Sequence, residues 1–129
     1  MSLTITDLAA SNVITNQEPA SGASATSSEI DLEEKTDCSA LQIFTKCGGF
    51  AGTPAGTVTV QVLGSHTSGG DTFSREQFVH TVVANQTHYW CDVVLAPCRY
   101  MKIVVTNNSG QNISADCLNV WVEARRVTA

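Results

Sequence analysis

Apolar and polar residues alternate strictly from Thr57 to Val62, with Val58, Val60 and Val62 in one phase and Thr57, Thr59 and Gln61 in the other. Side chains of a strand point to alternate faces, so Val58 to Leu63 is predicted to be a half-buried β-strand. It lies between turns at Gly52 to Gly56 and at Gly64-Ser65. The same period predicts strands at Ser28 to Leu32, Cys38 to Lys46, Gln77 to Val83, His88 to Leu95, Tyr100 to Thr106 and Ile113 to Ala124. Leu41 and Ile43 share one face of their strand, with Phe44 on the other. Met101, Ile103 and Val105 form one core face, and Leu118, Val120 and Val122 another.

Turn-forming clusters separate these runs: Glu33 to Asp37, Gly48-Gly49, Gly69-Gly70-Asp71, Ala84-Asn85-Gln86, Ala96-Pro97 and Asn107 to Gly110. No stretch carries a helical period. The expected fold is all-β, an antiparallel β-sandwich with jelly-roll or immunoglobulin-like topology. Trp121 falls on the polar face of the last strand, where an aromatic side chain either marks an interface or covers a neighbouring strand.

Residues 1–26 read differently. They are rich in Ala, Ser, Thr and Asn, contain Pro19, and end in the small-residue run 20–26. Such a composition buries too little apolar surface to pack alone, so it predicts an extended N-terminal arm ordered against something else. Leu3, Ile5, Leu8, Val13 and Ile14 are its candidate anchors. The alternative is that Leu3 to Asp7 forms an ordinary first strand. Residues 27–129 are the sandwich domain.

The chain has 129 residues, enough for one domain with one core. Charged residues make up 15%, below the usual ~25%, so neutral polar residues must solvate the surface. The net charge of −5 argues against nucleic-acid binding, which needs clustered Lys and Arg. Arg125-Arg126 is the one basic pair, read as a solvated tail or as a contact for an acidic segment of a neighbouring subunit. Residues 1–12 hold neither a basic, apolar signal pattern nor a membrane-spanning run, so folding in a cytosol and no membrane partner are expected. The five cysteines, Cys38, Cys47, Cys91, Cys98 and Cys117, are irregularly spaced. Several sit within apolar alternations, which predicts reduced, buried thiols. A single bridged pair is the alternative.

Three segments in this order, Thr26 to Leu32, the hairpin Phe50 to Ser65 with its Gly-Thr-Pro-Ala-Gly-Thr-Val-Thr-Val run, and Arg99 to Thr106, resemble the auxiliary capsid proteins of tailed phages, also called cement or decoration proteins. The resemblance covers roughly residues 26–124. Similar domains also occur in phage tail and fibre proteins. It implies a virion structural protein, made in the host cytoplasm and sited on the capsid surface. There it would bind the major capsid protein on the outside of the head and stabilise it as a homo-oligomer, with a trimer favoured. The five cysteines and the long arm depart from that pattern.

No coherent chemistry competes with a surface role. The cysteine spacings do not form the close ligand pairs of a zinc site, and His88 and Cys91 fall on opposite strand faces, so no metal is expected. There is no Gly-x-Ser-x-Gly elbow and no cysteine-protease signature. His66 lies in a turn, His80 reads as a packed strand histidine, and Asp31, Glu33 and Glu34 belong to a solvated turn. No catalytic residue and no cofactor are predicted. Asn85, Asn107 and Asn112 begin Asn-x-Ser/Thr triplets, read as turn residues. From another class, a carbohydrate-binding or host-recognition module would use exposed aromatics, with Tyr89, Trp90, Tyr100 and Trp121 as candidates. The sequence puts no two of these clearly on one exposed face.

Overall fold

The computed structural model describes residues 4–32, 40–50, 52–84, 86–95, 98–114 and 118–128, with backbone only for 4–10 and 126–128. Nine strands are described: β1 (Thr4–Gln17), β2 (Ser24–Thr26), β3 (Ile30–Asp31), β4 (Ala40–Cys47), β5 (Thr57–Ser65), β6 (Phe73–Thr81), β7 (His88–Leu95), β8 (Tyr100–Asn108) and β9 (Leu118–Thr128). β1 pairs with β9, β2 and β3 with β8, β4 with β7 and β5 with β6, all antiparallel. These are the nested pairs of one long hairpin. Rolling it up adds β4 to β9 and β5 to β8, which gives two sheets in the orders β1-β9-β4-β7 and β2-β8-β5-β6. Two facing antiparallel sheets with this nesting are a jelly roll, one of the two expected topologies.

The core lies between the sheets and is built by the predicted alternation. Leu41, Ile43, Val94, Leu118, Val120 and Val122 come from one sheet, and Val58, Val60, Val62, Met101, Ile103 and Val105 from the other, all buried. Each such side chain contributes about 1.5–3 kcal/mol relative to exposure. At one end, a Cβ at Gly56 would meet the Asn108 carbonyl, so the turn before β5 can lie against β8 only with glycine there.

Several expectations are revised. The segment expected to be an arm is, over residues 4–17, the edge strand of a sheet. Its pairing with β9 passes through three register shifts, the last near Asn16, whose φ of 48° is a left-handed value that asparagine tolerates. Of the short strand expected at Ser28 to Leu32 only the two residues of β3 are strand, while β2 forms within the segment expected to be an arm. The last strand starts at Leu118 rather than Ile113, which instead bridges Phe50. Arg125 and Arg126 are not a tail: both lie in β9, opposite Asp7 and Thr6. The turns expected at Glu33 to Asp37 and Ala96-Pro97 lie outside the described residues.

Candidate functional site

The outside of the β1-β9-β4-β7 sheet is assembled from the strand positions that do not face the core. On β7 these are Tyr89, Cys91, Val93 and Leu95, all exposed; on β4 they are Ala40, Gln42, Phe44 and Lys46, half-buried. On β9 they are Asn119, Trp121, Glu123 and Arg125. Register lines them up in rows across three strands: Tyr89-Lys46-Asn119, Cys91-Phe44-Trp121, Val93-Gln42-Glu123 and Leu95-Ala40-Arg125. The first two rows enclose a cleft of about 180 Å³ lined by Phe44, Lys46, Tyr89, Cys91 and Trp121. Tyr89 is 73% exposed and Trp121 39%, so two aromatic side chains flank the cleft while Phe44 lies between their strands. Directly opposed cross-strand side chains are about 4.5–5.5 Å apart at Cβ, which fixes this spacing.

The polar margin is ordered. Asn119 Oδ1 accepts from the Asn16 backbone N–H at 3.0 Å, and Asn12 Nδ2 donates to the Val120 carbonyl at 3.3 Å. Arg125 Nη2 lies 3.1 Å from Glu123 Oε1. A second cavity, of about 260 Å³, opens at the end of the sandwich between Gly49, Phe50, Gly52, Gln86 and Thr87.

The candidate interface residues are therefore dispersed. Trp121 lies in the cleft and Arg125 in the same sheet face, paired with Glu123. Ile14 is only 3% exposed and belongs to the core, a correction to its reading as an anchor, because β1 turns it inward against the opposite sheet. Val13 is half-buried and packs against the core. Ile5, Leu8 and Arg126 are placed by backbone alone, and Leu3 lies outside the described residues. The reading missed Phe44 and Lys46 as neighbours of Tyr89 and Trp121. Their phase along β4 was visible in the alternation, but the strand pairing was not.

The other two aromatic candidates make contacts of their own, Trp90 while also bordering the cleft. Trp90 faces inward and is stacked between two imidazoles, His80 at 4.3 Å and 6° and His88 at 5.5 Å and 17°. His80 Nε2 lies 2.8 Å from Asp92 Oδ2, and His88 Nε2 accepts from the Val83 N–H at 3.1 Å, which requires that nitrogen to be unprotonated. Both rings thus serve the seam between β6 and β7. Tyr100 lies under the Arg99 guanidinium, 4.7 Å from the ring centre. Of the cysteines, Cys47 is buried, Cys98 half-buried and Cys91 exposed, the last a departure from the expected burial because odd positions of β7 face outward. Cys38 and Cys117 lie outside the described residues. Among the described residues, no three His, Cys, Asp or Glu side chains converge on a metal-sized site.

Glu29 closes a different contact. Its Oε2 accepts from the Gly69 N–H at 2.8 Å and its Oε1 from the Ser68 hydroxyl at 2.7 Å, which ties the β5–β6 turn to the β2–β3 link. Those bonds, the Gly69 one first, hold its carboxyl below the ordinary value of 4.5.

No protein-family profile matches the sequence, and no curated protein matches it. A solved structure, described as "Family 16 Carbohydrate Binding Module-2", is similar over 88% of this chain and 76% of its own, at 10% identity and a TM-score of 0.41. That likeness carries no ligand from one protein to the other.

Proposed function

We propose that this chain is a non-enzymatic virion structural protein, a capsid decoration protein of a tailed phage. It binds the major capsid protein on the outside of the head and stabilises the particle. The observation that carries the reading is the outer face of the β1-β9-β4-β7 sheet. It is a broad, pre-formed surface in which Tyr89, Phe44 and Trp121 sit among the polar and charged side chains of Gln42, Lys46, Asn119, Glu123 and Arg125, the composition of an interface core inside a polar rim. Many weak copies of such a contact gain avidity of ~10²–10⁴ on a repeating surface. A ligand that binds only the assembled shell stabilises it as occupancy rises. The test compares heat-induced DNA release from particles with and without the protein, and with Trp121→Ala and Tyr89→Ala. Later release with the wild-type chain, lost in the variants, is expected. Equal release in all, with the protein found at the tail, would remove the reading.

A second reading is favoured by the cleft itself. Aromatic side chains flanking a shallow groove, with Lys46 at its margin, suit the apolar face and hydroxyls of a sugar ring, as in a tail or fibre module for host recognition. Binding to a cell-surface glycan array that disappears in Tyr89→Ala, with no binding to emptied capsids, would select it.

A further inference from the structure

The cleft between Tyr89 and Trp121 holds a cation without a counter-charge. Of the cations whose side chains are described, Arg75 reaches the Leu95 carbonyl, Arg99 pairs with Asp31, Arg125 pairs with Glu123 and Lys102 acts on the Glu29 carboxylate. Lys46 is the remaining one, and it makes no hydrogen bond or ion pair among the described residues. In a chain of net charge −5, that uncompensated ammonium belongs to a residue lining the aromatic cleft.

The other polar groups there are also mostly donors. The Tyr89 hydroxyl and the Trp121 indole N–H are without a partner among the described residues. An ammonium and an indole N–H only donate, while a phenol both donates and accepts. Glu123, the one carboxylate in the four rows, is already paired with Arg125, and Asn119 Oδ1 already accepts from Asn16. Geometry limits the occupant to about one ring. β4 lies between β7 and β9, so Tyr89 and Trp121 stand two strand spacings apart, roughly 9–10 Å across the sheet, with Phe44 between their strands. The volume of about 180 Å³ is well below the roughly 300–1,000 Å³ of pockets that enclose drug-sized ligands.

We propose that the cleft takes a sugar ring bearing a carboxylate, the uronate or sialate of an acidic surface polysaccharide, with the carboxylate on Lys46 and the apolar ring face on Tyr89 or Trp121. A neutral ring presents hydroxyls that donate as well as accept, so it needs acceptors on the protein. A carboxylate only accepts, which matches the donors on offer. Its charge-assisted bond to the ammonium is about twice as strong as a neutral one. The acidic chain repels an anion at long range, but at physiological salt exposed charges beyond about 8 Å are largely screened, so the lysine in contact decides. The inference rests on the carbohydrate reading of this cleft and adds the class of its ligand.

The full-length protein is titrated with uronate- and sialate-bearing oligosaccharides, each beside its own methyl ester, which keeps the ring and removes the charge. The acids are expected to bind at least about tenfold more tightly than the esters, an advantage that shrinks with added salt. Lys46→Gln should bring acid and ester to equal affinity, whereas Lys102→Gln, on the other sheet, keeps the difference. Tyr89→Ala and Trp121→Ala should weaken both forms; unchanged circular dichroism and Tm establish that the variants fold. Cys91 supplies a local readout, because its exposed thiol lines the cleft: bound acidic sugar should slow its alkylation by iodoacetamide, followed by peptide mass. Esters that bind as well as the acids, a preference that survives Lys46→Gln, or Cys91 alkylation unchanged at saturation would each overturn this inference and leave the carbohydrate reading standing. A poly-glutamate peptide that binds as tightly as the acids would overturn it too, since charge alone would then suffice. No glycan bound in either form would overturn both and leave the virion reading in place.

Discussion

His80 Nε2 and Asp92 Oδ2 lie 2.8 Å apart and join the edge strand of one sheet to the edge strand of the other. β6 and β7 are consecutive in the chain but belong to opposite sheets, so no backbone ladder runs between them. The seam is held instead by this bond and by the stack of His80, Trp90 and His88.

His80→Leu is therefore expected to leave the Asp92 carboxylate, 9% exposed, without its donor and to cost about 1–3 kcal/mol. Urea unfolding followed by Trp fluorescence measures this. A loss no larger than that of an exposed control such as Gln77→Leu would show that the bond does not hold the seam.

Ile14 separates two accounts of the N-terminal segment. As part of the core it should cost about 2–5 kcal/mol when changed to Ala, in the isolated protein. Were it an anchor for a neighbour, the stability of the isolated chain would be unchanged and only assembly would suffer. Thermal unfolding of Ile14→Ala distinguishes the two.

Glu29 predicts an acid response. Its carboxyl is depressed in the folded chain, so the contribution is fully present above its unfolded value near 4.5 and is lost as pH falls through the lower folded value. The group is exposed, so the effect is local: the protection of the Gly69 amide, its hydrogen exchange relative to the intrinsic rate at each pH, should fall in that acid range. In Glu29→Gln the same amide should exchange with no such step. A step that persists in the variant would refute the assignment.

Asn107 is fully buried with every side-chain bond made. Nδ2 donates to the carbonyls of Pro19 at 3.0 Å and Gln111 at 2.7 Å, while Oδ1 accepts from the N–H and hydroxyl of Ser109 at 3.1 and 2.6 Å. Asn107→Ala should cost at least about 1–3 kcal/mol, because buried partners are left unpaired. Asn107→Asp should fare no better, since a carboxylate cannot donate to the two carbonyls. Denaturant midpoints of both variants provide the check.

The alternation by itself determined which residues would face the core. Val58, Val60 and Val62, then Met101, Ile103 and Val105, then Leu118, Val120 and Val122 are buried as their period requires, because strand phase is a local property of each run. It also marked Tyr89 and Trp121 as aromatics to watch, and Phe44 as facing away from Leu41 and Ile43. The tertiary structure alone decided which strands lie side by side. Nothing in the composition of residues 4–17 declares that they pair with β9, more than a hundred residues away, or that Ile14 thereby enters the core. Nor does any local pattern bring Phe44, Tyr89 and Trp121 onto one face, or place β7 at the edge of its sheet with Cys91 outward. A period of two says which way a side chain points relative to its own strand. The neighbour it meets is set by long-range register, and that is fixed only when the nested hairpin rolls up and both sheets bury their apolar faces together.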